Sequence, residues 1–150
     1  MPRYMLFLRA TAESEGASRP TLEQFQQMGD YYNAMNNAGI VLSADGLVSS
    51  SEDSARIIFH GTKDDLSHDV IRGPFPLHEI VSGYWILKVK DMNEAIEWAK
   101  KCPLYQDGAT LELRRLSEMA DFEDIMTEEM TKKFEEMAEK TEAKIKKGAS

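Results

Sequence analysis

Apolar and polar residues alternate along much of the chain in short segments, which is the pattern of β-strands. Polar stretches with Gly and Pro separate these segments and indicate turns. The pattern predicts strands at residues 4–8, 40–42, 55–60, 66–71, 83–89 and 109–116. We expect the first to be buried on both faces and the last to be half exposed. Because only the polar turn 61–65 separates the third and fourth strands, these two are predicted to form a hairpin.

Apolar residues at helical spacing predict three helices between and after these strands. Thr21 is the expected N-cap of the first helix, and Gly39 is the residue that ends it in a left-handed conformation. Asp91 is the expected cap of the second helix, and the third begins at Asp121 or Thr127. The first helix is expected to bury one apolar stripe, which consists of Leu22, Phe25, Met28, Tyr32, Met35 and Asn36.

The order of elements is strand–helix–strand, then a hairpin, then strand–helix–strand. This is the split arrangement of ferredoxin-like α+β domains, with a β-hairpin inserted between the two halves. We expect such a domain at residues 1–117 and an amphipathic C-terminal helix at residues 118–150. The helix is expected to pack on the domain or on a dimer partner, with its last residues disordered.

The two helices of a ferredoxin-like domain cover only one face of the sheet. Apolar residues at Ile57, Phe59, Ile86 and Val89 indicate that the other face is apolar as well. An open apolar face of this kind is an association surface. We therefore expect a homodimer.

Composition and charge narrow the class of protein. Of 150 residues, 42% are hydrophobic and 29% charged, which is typical of a globular domain with one core. The net charge of −8 argues against a nucleic-acid partner. No apolar run approaches the ~20 residues that cross a bilayer, so no membrane association is expected. Cys102, the only cysteine, excludes an internal disulfide and fits a reducing cytoplasm; we expect it to be a buried apolar residue.

A set of short motifs runs along almost the whole chain. They are Arg3-Tyr4-Met5, Ser14-Glu15, Met28-Gly29, Gly46-Leu47 with Ser49-Ser50, Gly73-Pro74-Phe75, Val81-Ser82-Gly83-Tyr84-Trp85, Glu94-Ala95-Ile96-Glu97-Trp98 and Lys101-Cys102-Pro103. In this combination the chain resembles the YCII-related, or DGPF-domain, family. The resemblance implies a domain that dimerises as an α+β barrel, with a pocket between the first helix and the sheet. It implies no particular reaction, although enzymes of the wider superfamily transfer protons on small organic molecules.

The chain departs from the family pattern at two places. Arg72 stands where the family has the acid of its Asp-Gly-Pro-Phe motif, and the loop after Phe75 is one residue shorter. A catalytic histidine and aspartate are proposed for bacterial members of the family, but the first helix here contains no histidine.

His78 and Asp45 are the candidate catalytic residues. Histidine is the side chain that most readily exchanges protons near neutral pH, and Glu79 follows His78 directly in sequence. Asp45 lies in an Asp-Gly turn that we place near the mouth of a pocket. The alternatives are a surface-loop role for His78 and ordinary turn chemistry for Asp45.

Six residues are candidates for ligand binding. The arginines would hold an anionic group, the aromatic residues would form walls, and the alternative for Arg72 is an ion pair with Asp69 or Glu79. The candidates are Arg9, Arg72, Tyr32, Phe75, Glu79 and Tyr84.

Two histidines, His60 and His68, flank the hairpin turn close to three aspartates. Across a hairpin these rings can approach each other as metal ligands, but we interpret them as solvated turn residues and predict no metal and no cofactor. Two functions stay open. One is a cofactor-independent enzyme that transfers protons on a small organic molecule. The other is a non-catalytic small-ligand-binding or protein-interaction module of the same fold.

Overall fold

The computed structural model of the chain describes residues 1–148. Met1–Leu116 form one compact unit, and the described residues from Ser117 onward form a second. The disorder expected of the last residues concerns positions 149 and 150, outside the described residues. The strands are β1 (Arg3–Arg9), β2 (Val41–Gly46), β3 (Ala55–Thr62), β4 (Asp65–Arg72), β5 (Val81–Lys88) and β6 (Leu111–Arg115). The helices are α1 (Leu22–Asn37), α2 (Met92–Ala99) and α3 (Glu128–Gly148).

The strands form two sheets. β2, β5, β1 and β6 lie side by side in that order in a four-stranded antiparallel sheet. β3 and β4 pair only with each other, so the predicted hairpin is present and forms a sheet of its own. The α+β class and the order of elements are confirmed, and the sheet order is consistent with a ferredoxin-like fold.

The core lies on one face of the four-stranded sheet. Leu6 of β1 and Leu87 of β5 are fully buried beside Met35 of α1 and Ala95 of α2. Because successive strand residues point to opposite faces, Tyr4 and Leu6 of β1 are buried, whereas Met5 and Phe7 on the other face are half-buried. The prediction that the first strand is buried on both faces is therefore wrong.

The other face of this sheet, which we call the open face, carries Met5, Phe7, Tyr84 and Ile86, all half-buried. Of the residues expected there, only Ile86 belongs to it. Ile57 and Phe59 lie on the separate hairpin, and Val89 follows β5 and is buried in the core. Sequence alternation cannot distinguish strands of one sheet from strands of another, which explains the error at Ile57 and Phe59. Val89 lies three residues after Ile86 and therefore points to the opposite face.

Helix α1 begins where the pattern predicts. The Thr21 hydroxyl accepts a hydrogen bond from the Gln24 amide, and the Gln24 side chain accepts one from the Thr21 amide, which completes a capping box. Gly39 has a φ of 72°, as expected for the residue that ends the helix. The predicted stripe is only partly right, since Tyr31 and Met35 are the buried residues of α1.

The other two helices are also capped by predicted residues. The Asp91 carboxylate accepts a hydrogen bond from the Glu94 amide at 3.0 Å, ahead of α2. Ahead of α3, the Thr127 hydroxyl accepts one from the Met130 amide at 3.2 Å, which selects Thr127 over Asp121 as the start. Within the second unit, Met130, Phe134 and Met137 of α3 are exposed. None of the helices described is long and apolar enough to cross a membrane.

A close approach of two backbone segments connects the hairpin to the polar bend before it. A side chain at Gly73 would place its Cβ 1.7 Å from the Ser50 carbonyl oxygen and 2.8 Å from the carbonyl carbon. The peptide between Gly73 and Pro74 is cis. Glycine is therefore required at position 73 because no other residue fits between these backbone atoms.

Gly73→Ala is expected to destabilise the protein by at least about 2 kcal/mol, because Ser50 would have to move to admit the methyl group. Urea unfolding followed by circular dichroism measures this change. Gly29→Ala is the control, since a Cβ there meets no atom within 4 Å. It should stabilise α1 by about 0.5–1 kcal/mol. Equal stability of Gly73→Ala and the wild type would show that the two segments do not pack in this way.

Candidate ligand-binding site

A cavity of about 570 Å³ opens at the end of β1. Its walls come from β1, from the segment between β1 and α1, from the first turns of α1 and from the segment after α2. We call it the arginine cavity. Its apolar lining consists of Leu8, Pro20, Phe25, Met28, Leu47, Pro103, Leu104, Tyr105 and Ala109, and its polar lining of Arg9, Thr11, Glu13, Ser14, Ser18, Arg19, Gln24, Gln27, Ser82, Gln106 and Thr110.

The charge of the arginine cavity differs in sign from that of the chain. Two arginines, Arg9 and Arg19, and one carboxylate, Glu13, line it, so its walls carry a net charge of +1. The whole chain carries −8. The Arg9 guanidinium also donates a hydrogen bond to the backbone carbonyl of His78, which connects β1 to the 3-10 turn Leu77–Glu79.

Two further cavities adjoin the arginine cavity. The edge cavity, about 420 Å³, shares Leu8, Phe25, Met28 and Ser82 with it and continues along α1 toward Tyr32 and β2. The histidine cavity, about 480 Å³, shares Arg9, Thr11, Gln106, Ala109 and Thr110 with the arginine cavity and includes His78 and Glu112. Arg9 therefore borders both the arginine cavity and the histidine cavity. The helical pattern assigned Phe25 to the core, but Phe25 is exposed and lines the arginine and edge cavities.

The two candidate catalytic residues lie in different cavities. His78 lines the histidine cavity, where its side chain is 82% exposed and its Nε2 lies 3.8 Å from a Glu79 carboxylate oxygen. Asp45 lies beside the edge cavity and accepts a hydrogen bond from the Tyr84 hydroxyl at 3.1 Å. Since Trp85 faces α1, the alternation of β5 directs the Tyr84 side chain to the open face. Tyr84 and Asp45 both line the edge cavity.

The remaining ligand-binding candidates make contacts of their own near the hairpin. The Arg56 guanidinium stacks over the Phe75 ring, 4.1 Å from its centre, and pairs with the Glu79 carboxylate at 2.6 Å. Arg72 lies on β4 opposite Ala55, away from the three cavities described. The partner of Glu79 is therefore Arg56, and the ion pair of Arg72 with Glu79 that we considered does not form.

A polar cluster that the sequence pattern did not predict holds one wall of the arginine cavity. Glu15 belongs to the π turn Glu13–Ala17, and its carboxylate accepts hydrogen bonds from the Ser50 amide at 3.0 Å and from the Ser50 hydroxyl. The Ser50 hydroxyl in turn accepts one from the Phe75 amide at 3.0 Å. We call this the Glu15 cluster. The motifs Ser14-Glu15, Ser49-Ser50 and Gly73-Pro74-Phe75 all contribute to it, and their joint presence in the sequence was the available signal.

The Glu15 cluster stabilises the ionised form of the Glu15 carboxyl group. The hydrogen bonds from the Ser50 hydroxyl and then from the Ser50 amide stabilise the carboxylate, and they lower the pKa of Glu15 below its usual value of 4.5. The charged form of Glu15 therefore holds the segment that contributes Glu13, Ser14 and Arg19 to the arginine cavity.

The histidines of the hairpin do not meet. His68 lies opposite Phe59 and packs edge-on against its ring, whereas His60 lies on the other face and pairs with Asp69 at 2.8 Å. Among residues 1–148 no group of three or more His, Cys, Asp or Glu residues is arranged to hold a metal ion.

Cys102 is buried, as expected, and burial raises the pKa of its thiol to about 12. At neutral pH it is therefore a protonated, apolar residue rather than a nucleophile. Burial also raises the pKa of Tyr31, whose hydroxyl donates a hydrogen bond to the Trp98 carbonyl and whose ring contacts Trp85. Both groups are part of the core.

The fold and the cavities define an α+β domain with a ferredoxin-like sheet and an open, positively charged cavity at the end of its first strand. The family model of the YCII-related domain matches residues 3–120, and the chain belongs to this family. The identification made from the motifs is thereby confirmed. No curated protein matches the chain.

The lowered pKa of Glu15 predicts a pH-dependent contribution to stability. Because the pKa is lower in the folded state, the contribution is complete above about pH 4.5 and is lost as the pH falls through the folded value. Glu15→Gln is expected to be less stable than the wild type at pH 7, and the difference should shrink toward pH 3.

Urea unfolding of both proteins at pH 7, 5, 4 and 3 measures this difference. Glu13→Gln is the matched control, because Glu13 lies on the same segment with an exposed side chain. At pH 7 it should lose less stability than Glu15→Gln, because the Glu15 carboxylate accepts the hydrogen bonds from Ser50. A pH-independent deficit of Glu15→Gln would contradict the role given to the carboxylate.

Proposed function

We propose that this protein binds a small organic anion with an apolar body in the arginine cavity. The observation that carries the proposal is the pair Arg9 and Arg19 at a cavity whose other walls include Leu8, Phe25 and Leu104. Guanidinium groups bind carboxylates and phosphates, and apolar walls bind the body of such a ligand. A volume of about 570 Å³ is within the usual range for small-molecule sites.

The proposed site keeps part of the predicted ligand-binding set. Arg9 holds the anionic group, and a longer ligand extends past Phe25 and Met28 toward Tyr32 in the edge cavity. Arg72, Phe75 and Glu79 have no place in this site, because Arg56 binds the last two and Arg72 lies on the hairpin.

Arg19→Gln and Arg9→Gln are each expected to weaken the binding of benzoate or phenylacetate by about 10- to 100-fold. A hydrogen bond to a charged group contributes about 1.5–3 kcal/mol, which sets this range. Titration calorimetry or NMR titration measures the affinity. Arg19→Gln is the cleaner variant, since Arg9 also holds the His78 carbonyl.

Arg72→Gln is the matched control because it removes the same charge outside the cavity, and it should bind like the wild type. Benzamide, the uncharged analogue of benzoate, should bind at least about 10-fold more weakly than benzoate, for the same electrostatic reason. Equal binding of benzoate and benzamide would refute the anion site, as would an equal loss in Arg72→Gln.

A second candidate function is cofactor-independent proton transfer on such a ligand. The position of His78 favours it, because His78 and Arg9 line the same cavity and the Arg9 guanidinium contacts the His78 backbone. In this role His78 exchanges a proton with a carbon acid whose anionic group is held by Arg9. Asp45, paired with Tyr84 beside the edge cavity, is the alternative acid–base residue.

Proton transfer is expected to exchange an acidic C–H of a bound ligand with solvent. In D₂O, proton NMR should show deuterium entering such a ligand in the presence of the wild type. His78→Gln should reduce the rate by at least about 100-fold while leaving the affinity unchanged, since general acid–base catalysis contributes about that much. His60→Gln, on the hairpin, is the control and should keep the wild-type rate. The absence of exchange in any ligand that binds would leave the protein a non-catalytic binding module.

The proposal places the protein in the cytoplasm as a homodimer. The buried free Cys102 supports the location. The open face supports the homodimer, because both helices of the first unit pack on the other face and leave Phe7, Tyr84 and Ile86 without a helix over them from that unit. The α+β barrel implied by the family resemblance would form if two open faces pack together, and α3 could pack on either copy.

A further inference from the structure

The hairpin β3–β4 is the most exposed part of the first unit. Its two strands contain 16 residues, and none of them is buried. It pairs with no other strand. A two-stranded hairpin without a packed face is only marginally stable in water. A hairpin of this length therefore needs a surface to cover it.

The strand register assigns the hairpin residues to two faces. One face, which we call the apolar hairpin face, carries four large hydrophobic residues, each more than half exposed. They are Ile57, Phe59, Leu66 and Val70. The opposite face is mixed, with Arg56, His60 and Asp69 beside Ile58 and Ile71. Together the four residues expose roughly 400 Å² of apolar surface, which is as large as the largest patch on a typical monomer.

The charge of the hairpin sets it apart from the rest of the chain. Three basic and three acidic residues cancel, whereas the whole chain carries −8. The basic residues are Arg56, Lys63 and Arg72, and the acidic ones Asp64, Asp65 and Asp69. The apolar hairpin face contains no carboxylate. Two copies of this acidic protein can therefore approach through this face without the repulsion that other surfaces would cause.

We propose that the apolar hairpin face packs against the same face of a second copy of this chain. A two-fold axis makes such a contact self-complementary. With the hairpins antiparallel, Phe59 of one copy lies over Ile57 and Val70 of the other, and Leu66 lies beside Ala55. The large side chains of one copy then meet the smaller residues of the other, and the Arg72 side chains lie at opposite ends.

The size of this contact determines its strength. Two apolar hairpin faces bury roughly 800 Å² in total, which is below the ~1,200 Å² of the smallest stable interfaces. The association is therefore reversible and depends on concentration. It is also separate from the proposed dimer through the open face, because the two surfaces lie on different sheets. The hairpin contact doubles a monomer. An open-face dimer carries two hairpins, so there the contact produces a tetramer or a larger assembly.

Sedimentation velocity over a range of protein concentrations tests the proposal. At high concentration the mass of the wild type should rise to at least twice that of the double variant Phe59→Ser with Val70→Ser. Ile58→Ser is the matched control on the opposite face of the same strand, and it should associate like the wild type. None of these residues is buried, so the variants leave the core intact, which circular dichroism checks.

The outcomes separate this contact from the open-face dimer. If the open-face dimer forms, the wild type passes from dimer to tetramer or larger assemblies and the double variant stays a dimer. If it does not form, the wild type passes from monomer to dimer and the double variant stays a monomer. Equal masses of the wild type and the double variant at every concentration would overturn the proposal, as would an equal loss in Ile58→Ser.

A second measurement locates the contact independently of these variants. Ser67→Cys introduces an exposed thiol on the mixed face, while Cys102 is buried and does not react with a spin label. In a mixture of spin-labelled Ser67→Cys and ¹⁵N-labelled wild type, the amides of residues 57–60 should lose at least half of their signal. Unchanged intensities at these residues would refute the contact.

Discussion

The packing of β1 and β5 against α1 and α2 is the interaction on which the rest of the structure depends. Leu6, Leu87, Met35 and Ala95 are fully buried at this contact, and the alternation of the strands assigns every neighbouring residue to the opposite face. Helices α1 and α2 both lie on one side of the sheet, so neither covers the open face, whose apolar residues are half-buried. Arg9 is the last residue of β1 and lies at the end of the sheet, beside the arginine and histidine cavities.

The Glu15 cluster connects the most characteristic motifs of the chain to the candidate site. Gly73 and Phe75 approach Ser50, which in turn holds the Glu15 carboxylate. The segment around Glu15 then forms a wall of the arginine cavity. The Gly-Pro-Phe motif therefore acts on the site through two polar residues. This structural role of Gly73 and Phe75 does not require the aspartate that the family has at the position of Arg72.

Local signals predicted the fold well. The caps Thr21, Asp91 and Thr127 act through hydrogen bonds between neighbouring residues, so sequence alone is sufficient to find them. The hairpin register follows from its short polar turn. The site was predicted less well. Arg9 borders the arginine cavity, but Arg19 and the Glu15 cluster were missed. The partners within the cluster are 25 or more residues apart in sequence, and the residues that share the cavity with Arg19 come from distant segments.

The sequence by itself determined the family, the order of elements and the class of the fold, since motifs and periodicity are local properties of the chain. Only the tertiary structure decided which apolar residues share a face. It removed Ile57 and Phe59 from the sheet, brought Phe25 to a cavity and separated His60 from His68. The physical reason is that strand pairing and helix packing join distant segments. The free energy of those contacts depends on all of the segments that meet, so it cannot be predicted from the sequence of any one segment.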